Sequence, residues 1–153
     1  MTDPVPRAVV DAFYTAYAAG DARRVEEFLA DDVQWTISGP VDLLRFCGTR
    51  RGKASVLDLI ERLVPGVFRV FSFVSESVLV DGDRVATLNR LAARLSEDGR
   101  VISYRLAHFL HFRGGMIAEC ISIIDSYDAA EQVLGHPLTA PMDTETDASL
   151  VPL

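Results

Sequence analysis

The chain has 153 residues, of which 49% are hydrophobic and 24% charged, and its formal net charge is −7. This length suits a single domain whose core needs no disulfide or metal to hold it together. The negative charge argues against nucleic acid or an anionic membrane as a partner, and no stretch reaches the length that a membrane span requires. We therefore expect a globular protein whose partner is a small molecule.

The cysteines and the first residues bear on the compartment. Cys47 and Cys120 lie far apart in the sequence, without a CxxC motif or a Cys/His cluster. A zinc site is therefore not expected, and reduced thiols are the simplest interpretation. The opening residues, MTDPVPRAVVDAF, lack the apolar core of a signal peptide. Together these features predict a cytoplasmic protein.

Two helices are predicted at the start of the chain. Thr2 or Asp3 can cap the first, whose apolar residues recur at helical spacing until Gly20 ends it. Asp21 can cap a short second helix with charged residues on its outer face. Both helices are amphipathic, so each should pack one face against a sheet.

The next segment is predicted as a strand, a loop and a third helix. Residues 33–37 alternate around Trp35 as a short strand, and the irregular segment 41–52 is expected to be a loop. Apolar residues at helical spacing predict a helix over 53–64, ended by Pro65 and Gly66.

The second half of the chain is strand-rich. Strands are predicted over 67–80, 84–95, 101–112 and 116–124, followed by a short helix over 127–134. Helices followed by a meander of long antiparallel strands indicate an α+β fold with helices on one face of the sheet. We expect one domain over 1–137 and a flexible tail over 138–153, because the tail is polar and without periodicity.

The run VISYRLAHFLHF over 101–112 contributes the best candidate site. Alternate side chains of a strand share a face, so His108 and Tyr104 are the polar members of an otherwise apolar face. If Asp98 and Gly99 form a two-residue hairpin loop, Asn89 lies opposite His108. The same register places Leu91 opposite Leu106 and Ala93 opposite Tyr104. An imidazole and an amide would then meet in apolar surroundings.

The turn at Arg113 to Gly115 leaves two alternatives for the last strand. A three-residue loop pairs Phe112 with Met116 and places Cys120, Ser122 and Ile124 on the inner face. A two-residue Gly-Gly loop places Glu119 and Asp125 there instead. The three-residue loop is favoured by the resemblance described next.

Three segments carry a family resemblance: AFYTAYAAGDARRVEEFLADDVQW, GTRRGKASVLDLI and HFLHFRGGMIAECISIIDSYDAAEQVLG. With them, the arrangement over about residues 5 to 135 resembles the SnoaL-like, ketosteroid isomerase-like superfamily, also called the nuclear transport factor 2-like fold. It implies a cone-shaped α+β barrel in which three N-terminal helices pack on a curved, mainly antiparallel sheet. It also implies a pocket between sheet and helices, and in many members a dimer through the outer sheet face.

The resemblance carries few catalytic residues across. Ile37 stands where ketosteroid isomerases have their aspartate base, Phe13 aligns with their oxyanion tyrosine, and His108 aligns with their protonated aspartate. Asn89, Leu91 and Ser122 occupy the positions of the acidic and basic residues of limonene epoxide hydrolases. The chemistry of these named relatives is therefore not expected in unchanged form.

The candidate site centres on His108. We predict His108 as general acid or base and Asn89 as the group that orients it, with a purely structural histidine as the alternative. The predicted substrate-binding residues are Phe13, Tyr14, Tyr17, Trp35, Tyr104, Leu106, Ser122 and Ile124. No cofactor motif such as GxGxxG, GxxxxGK[ST] or HExxH occurs, so no cofactor and no metal are expected.

Two functions remain open on this basis. The first is an isomerase-, cyclase- or hydrolase-type enzyme that acts on a small apolar or cyclic metabolite by proton transfer, cyclisation or water addition. The alternative is a non-catalytic protein that binds such a molecule. The opposite face of the 84–95 and 101–112 strands mixes Arg90, Arg94 and Arg105 with apolar residues, which predicts a homodimer through the outer sheet face.

Overall fold

A computed structural model describes residues 3–139 of the chain. The helices are α1 (Arg7–Ala18), α2 (Ala22–Glu26), α3 (Lys53–Asp58), α4 (Val64–Val67) and α5 (Ser126–Leu134), and a π-helical segment (Leu59–Leu63) joins α3 to α4. The strands are β1 (Leu29–Ser38), β2 (Gly48–Arg51), β3 (Phe68–Asp81), β4 (Arg84–Leu95), β5 (Val101–Arg113) and β6 (Met116–Ile124). The expected α+β class is confirmed.

Six strands form one curved sheet in the order β2-β1-β6-β5-β4-β3. Every neighbouring pair is antiparallel except β1 and β6, which run parallel. The inner face of β4, β5 and β6 is almost wholly buried, and Tyr14 of α1 reaches it through hydrogen bonds to Thr87 of β4 and His108 of β5. The core therefore lies between the helices and the inner face of the sheet.

The beginning of α1 differs from the prediction. The helix starts at Arg7 after Pro6, without a side-chain cap, so Asp3 does not cap it, and Thr2 lies outside the described residues. The backbone N–H of Val5 instead donates to the carbonyl of Gly82, which ties the segment before the helix to the β3–β4 turn. The predicted cap of α2 is confirmed, because Asp21 Oδ1 accepts a hydrogen bond from the N–H of Arg24 at 3.2 Å.

The predicted loop over 41–52 was wrong in its second half. Residues 48–51 form β2 and pair with 34–37 of β1, which itself begins at Leu29 rather than Val33. Four residues are too short a run for an alternating pattern to be recognised. Helical structure also extends past the predicted end to Val67, as the separate short helix α4 with Pro65 in its first turn, a position that tolerates proline.

The β4–β5 hairpin has a longer loop than predicted. Leu95 N–H donates to the carbonyl of Arg100, so Ser96 to Gly99 form a four-residue turn. Thr87 therefore lies opposite His108, Asn89 opposite Leu106, and Leu91 opposite Tyr104. The predicted pairing was wrong by two residues. Because a shift of two preserves the face, Asn89 and His108 still share the inner face.

The β5–β6 turn combines features of both alternatives. Arg113 pairs with Met116 around a two-residue Gly114-Gly115 loop, so the three-residue loop was wrong. The strand pairing is irregular between His111 and Phe112, so Ala118 of β6 has no paired residue on β5. This bulge shifts the side chains of β6 beyond Ala118 back to the faces that the three-residue loop predicted. The predicted inner face of β6 is consequently right, with Ser122 opposite His108 and Ile124 opposite Leu106.

The expected division into a domain over 1–137 and a tail over 138–153 remains a prediction. Leu138 and Thr139 are the tail residues that the structure describes, and the others lie outside the described residues. Within the described part of the chain, no helix combines the length and hydrophobicity needed to cross a membrane.

Candidate functional site

A cavity of about 470 Å³ lies between the inner face of the sheet and the helices. One wall comes from the sheet, and the other comes from the end of α1 and the helical segment over 59–65. Its lining side chains are mostly apolar and include Ile37, Phe46, Leu59, Ile60, Val64, Phe68, Val70, Phe73, Leu91, Leu106 and Ile124. Such a mostly apolar, concave space suits a small organic molecule.

Polar groups enter this cavity at few positions. The hydroxyl-bearing side chains Tyr17, Tyr104 and Ser122 line it. Burial raises the pKa of both tyrosines well above the ordinary value, so both hydroxyls are neutral. The charged lining residues within 3–139 are Glu61 and Arg69, which are exposed and so belong to the opening. The inner cavity therefore offers neutral hydroxyls rather than charges.

His108 lies just behind the cavity wall, fully buried in an aromatic cage. Its ring centroid is 5.5 Å from that of Tyr17, 5.9 Å from those of Tyr14 and Trp35, and 6.2 Å from that of Phe73. Tyr17 and Phe73 also line the cavity. One layer of aromatic rings therefore separates the imidazole from the space where a ligand would lie.

A chain of hydrogen bonds runs from His108 to β3. Tyr14 Oη lies 3.0 Å from His108 Nδ1 and 2.8 Å from Thr87 Oγ1. Asn89 Nδ2 donates to Thr87 Oγ1 at 2.9 Å, and Ser75 Oγ donates to Asn89 Oδ1 at 2.9 Å. Asn89 thus reaches His108 through Thr87 and Tyr14, and the predicted direct contact between Asn89 and His108 was wrong.

Burial governs the protonation of this site. It lowers the pKa of His108 to about 3, because the charged imidazolium would lose its hydration without gaining a counter-ion. Burial likewise raises the pKa of Tyr14 far above the ordinary value, even though its hydrogen bond to Thr87 opposes the shift. At neutral pH the imidazole and the phenol are therefore both uncharged.

Two buried nitrogens have no hydrogen-bond partner within residues 3–139. They are Nε2 of His108 and Nε1 of Trp35. An unpaired polar atom in the interior costs about 1–3 kcal/mol, so such atoms are uncommon in folded proteins. Their occurrence side by side, next to a cavity, marks this part of the interior as a candidate site.

The predicted binding residues fall into two groups. Tyr17, Tyr104, Leu106, Ser122 and Ile124 line the cavity. Phe13, Tyr14 and Trp35 are buried beside it, where they support the lining side chains rather than reach the space themselves.

Sequence reasoning missed several residues of the site. Thr87 escaped notice because the hairpin was assigned the wrong register, and its alternation with Asn89 along β4 was the available signal. Phe73 and the wall formed by Leu59, Ile60 and Val64 carried no distinctive motif. Among the described residues, no cluster of three or more His, Cys, Asp or Glu side chains could hold a metal ion.

Comparison with known families matches residues 10–120 to the SnoaL-like domain. A protein from Rhodopseudomonas palustris, named as a candidate isomerase, is 30% identical, with 83% of this chain and 93% of that chain covered and a TM-score of 0.72. Comparison with curated proteins gives no match.

Two further solved structures share the fold at lower identity. An NTF2-like protein from Burkholderia thailandensis is 20% identical, with 85% and 97% of the two chains covered and a TM-score of 0.74. A ketosteroid isomerase-like protein from Catenulispora acidiphila, in complex with trimethylamine, is 16% identical, with 87% and 95% covered and a TM-score of 0.69. With a family match over most of the chain and a relative at 30% identity, the chain belongs to the SnoaL-like family.

Proposed function

We propose that this protein binds a small, neutral and largely apolar cyclic metabolite in the cavity. The observation that carries the proposal is the combination of apolar walls with the hydroxyls of Tyr17, Tyr104 and Ser122. Apolar walls favour a hydrocarbon body, while buried hydroxyls reward a ligand that carries a few oxygen atoms. The trimethylamine complex of the Catenulispora protein supports small-molecule binding by this fold.

Catalysis by His108 is the activity that fits this pocket best. The reaction would be proton transfer, cyclisation or water addition without a cofactor, with His108 as the reacting polar group. Asn89 would orient it through Thr87 and Tyr14. The name of the Rhodopseudomonas relative supports an isomerase-type reaction for this chain.

Non-catalytic binding is the second candidate. Within residues 3–139 the acidic side chain that lines the cavity is Glu61, and it is exposed. The low pKa of His108 makes its imidazole a weak base, and the ring lies one aromatic layer behind the wall. A binding protein needs no stronger base than this.

A ligand screen with two matched variants tests the proposal. Lactones, steroids, epoxides and aromatic polyketides would be scored by thermal shift and, in the native protein, also by the fluorescence of Trp35, its single tryptophan. Leu91→Trp fills the cavity and should abolish binding. Leu79→Trp, at a position 67% exposed on β3, should leave binding unchanged. Equal binding by both variants, or no stabilising compound, would remove the proposal.

Turnover of a bound compound separates the two candidates. Mass spectrometry of the incubated ligand would reveal an isomer, a cyclised product or a hydrate. If His108 is catalytic, His108→Phe should abolish product formation while a cavity ligand still binds. Unchanged ligand after incubation with the native protein would favour the binding function.

We also propose that two copies of the chain pair through the outer sheet face. Phe109 faces Ile121, and Ala107 faces both Leu88 and Ile123, in one continuous apolar patch. Phe109 and Ile123 are about half exposed in the single chain. Such a contiguous apolar patch on one face is typical of an interface.

Charged residues border this patch in a way that suits pairing. Arg90 and Arg105 lie opposite each other, and Glu76 bridges them with carboxylate oxygens 2.9 and 3.1 Å from their Nε atoms. Glu76 occupies an irregularity of β3, where the extra residue turns its side chain toward both arginines. Glu76 offsets one of the two positive charges, so the arginines can approach a second sheet at lower electrostatic cost.

Sedimentation velocity at micromolar concentration tests the dimer. Phe109→Glu should shift the native dimer to monomer, because it places a charge in the apolar patch. Val41→Glu, at an exposed apolar position outside the sheet, should leave the dimer intact. A native protein that sediments as a monomer would contradict the proposal.

The cytoplasm is the proposed compartment. Cys47 and Cys120 are free and buried. Free thiols persist most readily where the redox environment is reducing. A fluorescent fusion that enriched outside the cytoplasm would contradict this assignment.

A further inference from the structure

The hydrogen bonds around His108 determine where its proton lies. Asn89 Nδ2 can only donate, so Thr87 Oγ1 accepts from it, and the remaining neighbour of Thr87 Oγ1 within residues 3–139 is Tyr14 Oη. The hydroxyl proton of Thr87 therefore goes to Tyr14. With the Asn89 amide oriented so that its Oδ1 accepts from Ser75, any other assignment would leave the hydroxyl proton of Thr87 without an acceptor.

The same assignment of donors and acceptors extends from Tyr14 to the imidazole. Since Tyr14 Oη accepts from Thr87, its own proton has His108 Nδ1 as its acceptor at 3.0 Å. Nδ1 must then be unprotonated. In a neutral imidazole one nitrogen carries the proton, so the proton lies on Nε2.

The unpaired nitrogens of the site are consequently both donors. Nε2 of His108 carries a proton because Nδ1 accepts from Tyr14, and Nε1 of Trp35 always carries one. Their rings lie 5.9 Å apart in an edge-on arrangement. A group that pairs with either nitrogen must be a hydrogen-bond acceptor.

We propose that His108 is a fixed hydrogen-bond donor, positioned by Tyr14, and that the cavity selects ligands with a carbonyl-type oxygen directed at it. This rests on the proposed ligand-binding function and narrows its chemistry. Tyr14 is a positioning residue, because it acts through His108 and does not line the cavity. Because the rings of Tyr17 and Phe73 stand between His108 and the cavity, one of them must turn aside for the ligand oxygen to reach Nε2.

Nitrogen NMR of protein labelled in its histidines tests the tautomer. At pH 7 we expect the proton of His108 on Nε2 and none on Nδ1. Tyr14→Phe removes the donor to Nδ1 and should produce a mixture of both tautomers. Tyr17→Phe is the matched control, because Tyr17 lies as close to His108 but makes no hydrogen bond with it, so the tautomer should not change. A proton on Nδ1 in the native protein would overturn the proposal.

A pair of nearly isosteric probes tests the ligand class. 2-Acetylnaphthalene carries a carbonyl oxygen where 2-isopropenylnaphthalene carries a CH₂ group. We expect the ketone to bind about tenfold more tightly, the ratio that one net hydrogen bond provides, and the preference to vanish in His108→Phe.

The outcomes of these experiments distinguish the donor role of His108 from the ligand-binding function on which it rests. Equal binding of the two naphthalenes in a cavity that Leu91→Trp blocks would overturn the donor role and leave ligand binding intact. Failure of both to bind, together with a blank screen, would remove the ligand-binding function. In that case the nitrogen NMR spectrum would still show whether the proton of His108 lies on Nε2 or on Nδ1.

Discussion

The hydroxyl of Tyr14 lies 3.0 Å from Nδ1 of His108, although the two residues are 94 positions apart in the chain. This contact joins α1 to the middle of the sheet inside an otherwise apolar core. Both groups are neutral, because burial disfavours the charged form of each. The hydrogen bond therefore fixes the helix to the sheet without the cost of a buried charge.

Tyr14→Phe should lower the free energy of unfolding by about 1–3 kcal/mol, because it leaves Thr87 and His108 without their shared buried partner. Urea denaturation would measure the change as a lower midpoint with an unchanged slope. Tyr17→Phe is the control, since the Tyr17 side chain lines the cavity and its loss of one hydroxyl should cost much less. Equal losses for the two variants would contradict the role assigned to Tyr14.

Acid should destabilise the protein through His108. Its pKa is about 3 in the folded protein against an ordinary 6.5, so between these values the unfolded chain binds a proton that the folded protein does not. Stability then rises with pH across this window and is lost as the pH falls. From pH 7 to pH 5 we expect His108 to account for a loss of about 2 kcal/mol.

Denaturation of the native protein and of His108→Phe at both pH values would measure this loss. The variant lacks the titrating group, so its stability should change less over the same interval. His111 and His136, which both proteins retain, cancel in the comparison. The same pH dependence in the two proteins would show that folding does not lower the pKa of His108.

Several features of the fold were predictable because they depend on local chemistry. The strand bounds of β4 follow from its alternating pattern, and Gly135 ends α5 in the left-handed conformation, with φ of 79°. The β4–β5 register was not predictable, because the Asp98-Gly99 pair indicates a turn but does not determine how many residues the turn contains. Asp98 accepts hydrogen bonds from both the backbone and the side chain of Arg100, which favours the longer turn.

The site was predictable only in part, for a similar reason. Strand alternation correctly placed His108, Asn89 and Ser122 on one face, since parity survives a register error of two. The contact between Tyr14 and His108 depends on how α1 rotates against the sheet. No local pattern encodes that rotation, and Tyr17 on the same helix was an equally plausible partner.

Deletion of Leu138 to Leu153 should change the melting temperature by only a few degrees, since these residues show no apolar periodicity. A chain that ends at Thr139 is the matched comparison. It retains the Leu138 N–H that donates to Glu131 Oε1 and the Leu138 carbonyl that accepts from Tyr127 Oη, both at 2.7 Å. Scanning calorimetry of the two chains would measure the difference, and a loss of more than about 10 °C in either would mean that the tail supports the fold.

Gly39 marks a close approach between the chain after β1 and the segment before β2. A Cβ at this position would lie 2.6 Å from Cys47 Sγ and 3.3 Å from Ile124 Cδ1, the first well inside contact distance. Cys47 is buried and cannot move into solvent. We expect Gly39→Ala to destabilise the protein by about 1–3 kcal/mol through overpacking.

A double-mutant cycle with Cys47→Ala shows whether this clash is the cause. Removing the sulfur makes room for the new methyl group, so Gly39→Ala should cost little in the Cys47→Ala background, and the coupling should favour the double variant. Gly66→Ala is the control, because Gly66 lies in α4 with open space around its Cα, and alanine there should be neutral or stabilising by about 0.4–1 kcal/mol. If Gly39→Ala costs the same with and without the Cys47 sulfur, the strain lies in the backbone rather than in this contact.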